Sequence, residues 1–162
     1  MLAANIRIAH PDKLYIDGQW VAPKSGRQIE IVSPNSEEVV VRVAEAGKED
    51  MDLAVAAARR AFDEGPWGRM GPAERGQYLL KMAEYLRGRE PELAAAWTAQ
   101  VGGLASFAPQ IVGGGTMAIA AIAGLATSFP FVEKRPSHQV KTAIVAREPV
   151  GVVAGIAPWN AP

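Results

Sequence analysis

Residues 150–156 read Val-Gly-Val-Val-Ala-Gly-Ile, an apolar run with no alternation. No other stretch restricts the fold as much. A strand with one face in water alternates apolar and polar side chains. A strand without alternation needs cover on both faces, as in a parallel sheet flanked by helices. The stretch just before it differs. Residues 139–147 alternate, with Val140, Thr142, Ile144 and Ala146 on one face and Lys141, Ala143, Val145 and Arg147 on the other. That pattern predicts a half-exposed strand. Pro149 separates the two, and the expected fold class is α/β.

The 162 residues suffice for one domain with its own core. Lys plus Arg and Asp plus Glu are 17 each, so the charge gives no footprint for nucleic acid or an anionic membrane. Neither partner is expected. No apolar run approaches the ~20 residues of a membrane span, and residues 1–12 lack the apolar segment of a secretory signal. A cytoplasmic location is the corresponding expectation. Cysteine is absent, which removes disulfides, thiolate metal sites and a thiol nucleophile from these residues. The two histidines, His10 and His138, are expected on the solvated surface. No metal site is expected.

Asp17-Gly18 sits between alternating apolar residues at 14–21, a strong hairpin signal. A turn at Ser25-Gly26 leads to a strand at 28–32, ended by Pro34-Asn35, and 39–44 is a further extended run. Helical spacing begins at Lys48 and lasts to Phe62. It puts Met51, Ala54, Val55, Ala58, Ala61 and Phe62 on one stripe. Glu49, Asp50 and Asp52 sit in its first turn, where the helix dipole favours negative charge, and Gly65-Pro66 stops it. A second helix opens at Pro72 and is expected to bury Leu79, Met82, Ala83 and Leu86. Gly88 interrupts it, and a third runs over 92–100 to Gly102-Gly103. Residues 104–128 are helical in composition but contain Gly113-Gly114-Gly115, each costing about 1 kcal/mol relative to alanine. The expectation is one long helix, kinked or straight, with the glycines permitting close approach of a neighbour. Pro130 and Pro136 bracket an expected loop.

The apolar run ends in Ile156-Ala157-Pro158-Trp159-Asn160-Ala161. Ligands in open α/β sheets bind beyond the carboxyl ends of strands, and an asparagine there supplies an N–H to a developing oxyanion. Pro-Trp-Asn alone fits an ordinary turn with a half-buried tryptophan as readily. Gly113-Gly114-Gly115-Thr116 lacks the Lys-Ser/Thr of a phosphate loop. Trp20, Trp67 and Trp97 form no shared stacking platform, and packing roles are expected for them.

Taken in order, these stretches resemble the NAD(P)-dependent aldehyde dehydrogenases. Leu14-Tyr15-Ile16-Asp17-Gly18-Gln19-Trp20-Val21 resembles the family's opening hairpin, and Ile31-Val32-Ser33-Pro34 its returning strand. The helix from Lys48 to Phe62 and its successor at Pro72-Ala73-Glu74-Arg75-Gly76 also match. Ala123-Gly124-Leu125-Ala126 resembles a short Ala-Gly signature before the oligomerisation strand. Arg147-Glu148-Pro149-Val150-Gly151-Val152-Val153, running into Ile156-Ala157-Pro158-Trp159-Asn160, is the most specific match.

The resemblance implies an N-terminal part of such an enzyme. Residues 1–136 and 149–162 would belong to the cofactor-binding domain, the latter as the first strand of its Rossmann-like core. Residues 137–148 would be a projecting oligomerisation strand. Ile156, Ala157, Pro158, Trp159 and Asn160 would line the NAD or NADP cleft, and the Asn160 amide would stabilise the oxyanion formed when a cysteine attacks the aldehyde. Partners would be a small-molecule aldehyde and further copies, as homodimer or homotetramer.

Departures are equally clear. The family's cysteine nucleophile, ribose-contacting lysine, second glycine-rich turn and glutamate base are absent. Gly102-Gly103-Leu104 lacks a Gly-Lys-Pro-like turn, and Gly113-Gly114-Gly115 replaces larger residues. The 162 residues alone are therefore expected to be inactive, either as a truncated reading of an enzyme or as a short non-catalytic binding or dimerisation module. A wide substrate entrance beside the three glycines, favouring bulky aldehydes, is a further implication.

Overall fold

The computed structural model describes residues 8–160. They form six strands and four α-helices, with the strands paired as three separate antiparallel ribbons. Mixed helix and strand agree with the expected class.

The first ribbon joins β1 (Leu14–Ile16) to β2 (Gln19–Val21). Asp17 and Gly18 both take positive φ, 54° and 77°. This is the turn geometry whose twist matches flanking strands, and Asp-Gly adopts it at little cost. Tyr15 and Trp20 face each other across the ribbon, with ring centroids 5.1 Å apart. His10 stacks on the same indole at 4.8 Å, so it is half-buried rather than solvated. His138 is exposed as expected. The second ribbon pairs β3 (Gln28–Val32) with β4 (Val39–Ala44) and carries an irregularity between Ile31 and Val32.

Helix α1 spans Lys48–Glu64. Its expected stripe is displaced. Asp50 and Ala57 are buried and Ala54 and Phe62 half-buried, whereas Met51, Val55 and Ala58 are exposed. Helical spacing allows either face, and contact with the first ribbon selects the one centred on Ala57. A short 3-10 turn at Trp67–Arg69 leads to α2 (Pro72–Arg87), which opens with Pro72 at its first position. There Leu79 and Leu86 are half-buried, Ala83 is buried, and Met82 is exposed against expectation. Helix α3 is Glu90–Val101, with Gly102 closing it in the left-handed region.

Helix α4 covers Ala108–Leu125, shorter than expected at both ends, and continues through its three glycines. With 18 residues and mean hydropathy 1.4, it is long and apolar enough to cross a membrane. That corrects the expectation that no apolar run nears such a length. Here α4 packs across α2 and α3.

The loop expected between Pro130 and Pro136 is instead strand β5 (Val132–Arg135), paired with β6 (Ala143–Ala146). A charge-rich strand pairs with an apolar one, with Glu133 opposite Val145. Only 143–146 of the strand expected at 139–147 is regular, and its half-buried residues are Ala143 and Val145. Arg147 anchors the ribbon. It donates to the Pro130 carbonyl at 2.8 Å, pairs with Glu133, and lies over the Phe129 ring.

The best-buried apolar side chains are alanines: Ala57, Ala83, Ala94, Ala99, Ala108 and Ala123. Small residues let helices approach closely, and many large apolar side chains remain at the surface.

Candidate functional site

Ile156, Ala157, Pro158, Trp159 and Asn160 lie consecutively at one extremity of the described residues. The backbone from 151 is irregular and turns at Trp159 and Asn160. Ala161 lies outside the described residues. The doubly buried strand expected at 150–156 is not formed. Val150 is 92% exposed, Ile156 93% and Trp159 82%. The physical reason is pairing: each of the six strands is committed to its own ribbon, and none lies beside 150–156. A single strand has no ladder and no cover.

The grooves beside the helices and the first ribbon are lined by residues other than 152–160. Asn160 is exposed and meets no other polar side chain of the described residues. Its amide has the right chemistry for an oxyanion, and Pro158 and Trp159 are rigid side chains for a cleft wall. Within residues 8–160 these side chains stand exposed. The nearest fixed point upstream is Gly151, at φ 115° beside the Arg59 guanidinium.

The enclosed geometry lies elsewhere. A groove of about 370 Å³ runs between α2, α3 and α4, walled by Leu86, Leu93, Trp97, Ile111 and Ile119. Gly115 forms part of it, and a side chain added there or at Gly114 would meet open space. Close helix approach therefore does not explain these two glycines. The approach occurs at Gly76 of α2, where a Cβ would lie 2.9 Å from that of Ala126. Trp97 is half-buried, with its indole N–H enclosed and without a partner among the described residues. Trp20 and Trp67 are about half exposed and pack on Tyr15 and Tyr78.

Asp50 is the buried charge that periodicity did not single out. It is 2% exposed and accepts from the Gly47 and Lys24 backbone amides at 2.9 and 3.0 Å. Those two bonds, Gly47 first, hold its carboxyl below the ordinary aspartate range. It caps α1 and ties it to the chain leaving the first ribbon. A Gly-x-x-Asp spacing at the helix start was the available signal.

Residues 20–162 match the profile of the aldehyde dehydrogenase family. The chain is 37% identical to a geranial dehydrogenase from Castellaniella defragrans, over 92% of this chain and 31% of the relative. It is 35% identical to a betaine aldehyde dehydrogenase of Bacillus subtilis, over 92% and 30%. Among solved structures, a betaine aldehyde dehydrogenase from Staphylococcus aureus in complex with NAD+ superposes with TM-score 0.86. Its identity is 31%, over 93% of this chain and 30% of that one. An indole-3-acetaldehyde dehydrogenase from P. syringae, in complex with NAD+, gives 0.89 at 32% identity, over 99% and 32%. The chain thus spans about a third of the length of these relatives.

Proposed function

The chain belongs to the aldehyde dehydrogenase family, and from that premise we propose that it carries the N-terminal part of an enzyme oxidising an aldehyde to a carboxylic acid with NAD(P)+. The observation that supports this most is the family match over residues 20–162, a range that includes Pro158, Trp159 and Asn160. In the complete enzyme a cysteine thiolate adds to the aldehyde carbon, and negative charge develops on the carbonyl oxygen. The Asn160 side-chain amide donates an N–H to that oxygen. A donor placed where charge develops lowers the barrier, because it interacts more strongly with the oxyanion than with the neutral carbonyl. With no cysteine, the 162 residues supply this donor and not the nucleophile, and they are inactive alone.

The Val132–Arg135 and Ala143–Ala146 ribbon is the proposed contact between copies in a homodimer or homotetramer. Val132 and Ile144 present exposed apolar side chains on it. A dimerisation module without catalysis is the second reading, favoured by the same exposed ribbon.

The test is Asn160→Ala in the full-length enzyme. A kcat lower by about 10²–10³-fold with unchanged cofactor affinity is expected. An unchanged kcat, with chemistry rate-limiting, refutes the role. Aldehyde turnover by purified 1–162 above a no-protein control refutes the assignment of inactivity.

A further inference from the structure

We propose that the groove between α2, α3 and α4 binds a neutral, largely apolar small molecule carrying one hydrogen-bond acceptor, with a carbonyl compound as the simplest case. The site stands whether or not Asn160 serves as the oxyanion donor. The wall excludes charged occupants. Leu86 of α2, Leu93 of α3, and Ile111, Val112 and Ile119 of α4 line it, and no charged side chain of the described residues joins them. A carboxylate, phosphate or ammonium group would lose its hydration there without gaining a counter-charge. The volume of about 370 Å³ lies in the range of small-molecule pockets.

A second observation points to the acceptor. Trp97 lines the same groove, and its indole N–H is enclosed without a partner among the described residues. Buried donors in folded proteins are nearly always paired, because a donor shut away from water keeps the cost of its lost hydration. The other polar groups of the wall do not answer it. Thr116 turns its hydroxyl onto its own helix, donating to the Val112 carbonyl at 3.1 Å, and Gln100 is exposed. A trapped water needs several polar partners, and this wall is mostly aliphatic. An acceptor on an apolar body pairs the N–H and fills the groove together. Gly115 leaves the room for it, since a Cβ there would meet nothing within 4 Å.

The test titrates the 162-residue chain and the full-length enzyme with two bicyclic probes of one shape, acetylnaphthalene and isopropenylnaphthalene. Only the first has an acceptor. The indole N–H signals are followed by NMR on isotope-labelled protein, and Trp97→Phe assigns the signal of Trp97. The ketone is expected to bind saturably and to shift the Trp97 N–H downfield. The hydrocarbon should bind about five- to tenfold more weakly, the worth of one hydrogen bond, without that shift. Trp97→Phe should bring the ketone down to the hydrocarbon's affinity. Gly115→Leu, which suits a helix better than glycine, should abolish binding of both probes while Tm is kept or raised. Absence of saturable ketone binding overturns the proposal, as do equal affinities for the two probes. A shift at another indole in place of Trp97, or wild-type binding by folded Gly115→Leu, places the ligand elsewhere and overturns it too. Binding by the 162 residues but not by the full-length enzyme also overturns it, because the groove would then seat another part of the polypeptide.

Discussion

Gly76 of α2 rests directly on the backbone of Ala123 in α4. A Cβ at Gly76 would stand 3.1 Å from the Ala123 carbonyl oxygen and 2.9 Å from the Ala126 Cβ. Two helices meet there without an intervening side chain, and Gly76, Ala83 and Ala123 are all buried. This seam holds the longest apolar helix against the rest of the fold.

Overpacking the seam forces the helices apart. Gly76→Leu is expected to lower stability by about 1–3 kcal/mol, read as a lower urea midpoint at similar m-value. An unchanged midpoint would mean that α2 and α4 do not meet at Gly76.

Glycines in one chain should respond with opposite signs. Gly102 has φ 79°, and its Cβ would fall 2.5 Å from Pro34 Cγ. Gly102→Ala is expected to cost about 1–2 kcal/mol from the left-handed backbone alone, and the Pro34 clash adds to it. Gly114 lies inside α4 with open space around it. Gly114→Ala is expected to raise stability by up to about 1 kcal/mol. Equal shifts in urea midpoint for the two variants would contradict the assigned backbone geometry.

Asp50 couples stability to acid. Its native pKa lies below the ordinary value, because the Gly47 and Lys24 amides favour the carboxylate. Between the native pKa and the unfolded value of about 3.9, the unfolded chain binds more protons, so stability rises with pH there. The contribution is complete above about pH 5 and is lost as pH falls through the native pKa. Asp50→Ala should lower Tm clearly at pH 7, and the gap to wild type should narrow below about pH 4. A gap independent of pH would assign the effect to packing instead.

Glu133 receives Arg135 and Arg147 and is held below the ordinary glutamate range by those hydrogen bonds, Arg135 first. Arg147 also reaches back to Pro130. Replacing Arg147 by Gln removes the ion pair and the stacking on Phe129. Faster amide exchange at 132–135 and 143–146, with α2 and α4 unaffected, is the expected outcome. Unchanged exchange in the ribbon would show that the ladder alone suffices.

Local chemistry was readable without coordinates. Asp17-Gly18 specified its turn because few residues tolerate two successive positive φ values. Pro72 marked a helix start through its fixed φ and missing N–H, Gly102 a helix end through its positive φ, and the ordered series of stretches through Asn160 disclosed the family. Which face each helix buries was not readable. Met51, Val55 and Met82 have the spacing of core residues, yet their burial depends on a neighbour that periodicity does not name. Strand β5 was missed because Glu133, Lys134 and Arg135 resemble a solvated loop, and only pairing with β6 makes them a strand. Residues 150–156 are the mirror case. Their composition alone requires cover on both faces, but composition does not provide the cover. Hydrogen-bonded neighbours decide whether such a run becomes a strand, and within residues 8–160 it has none.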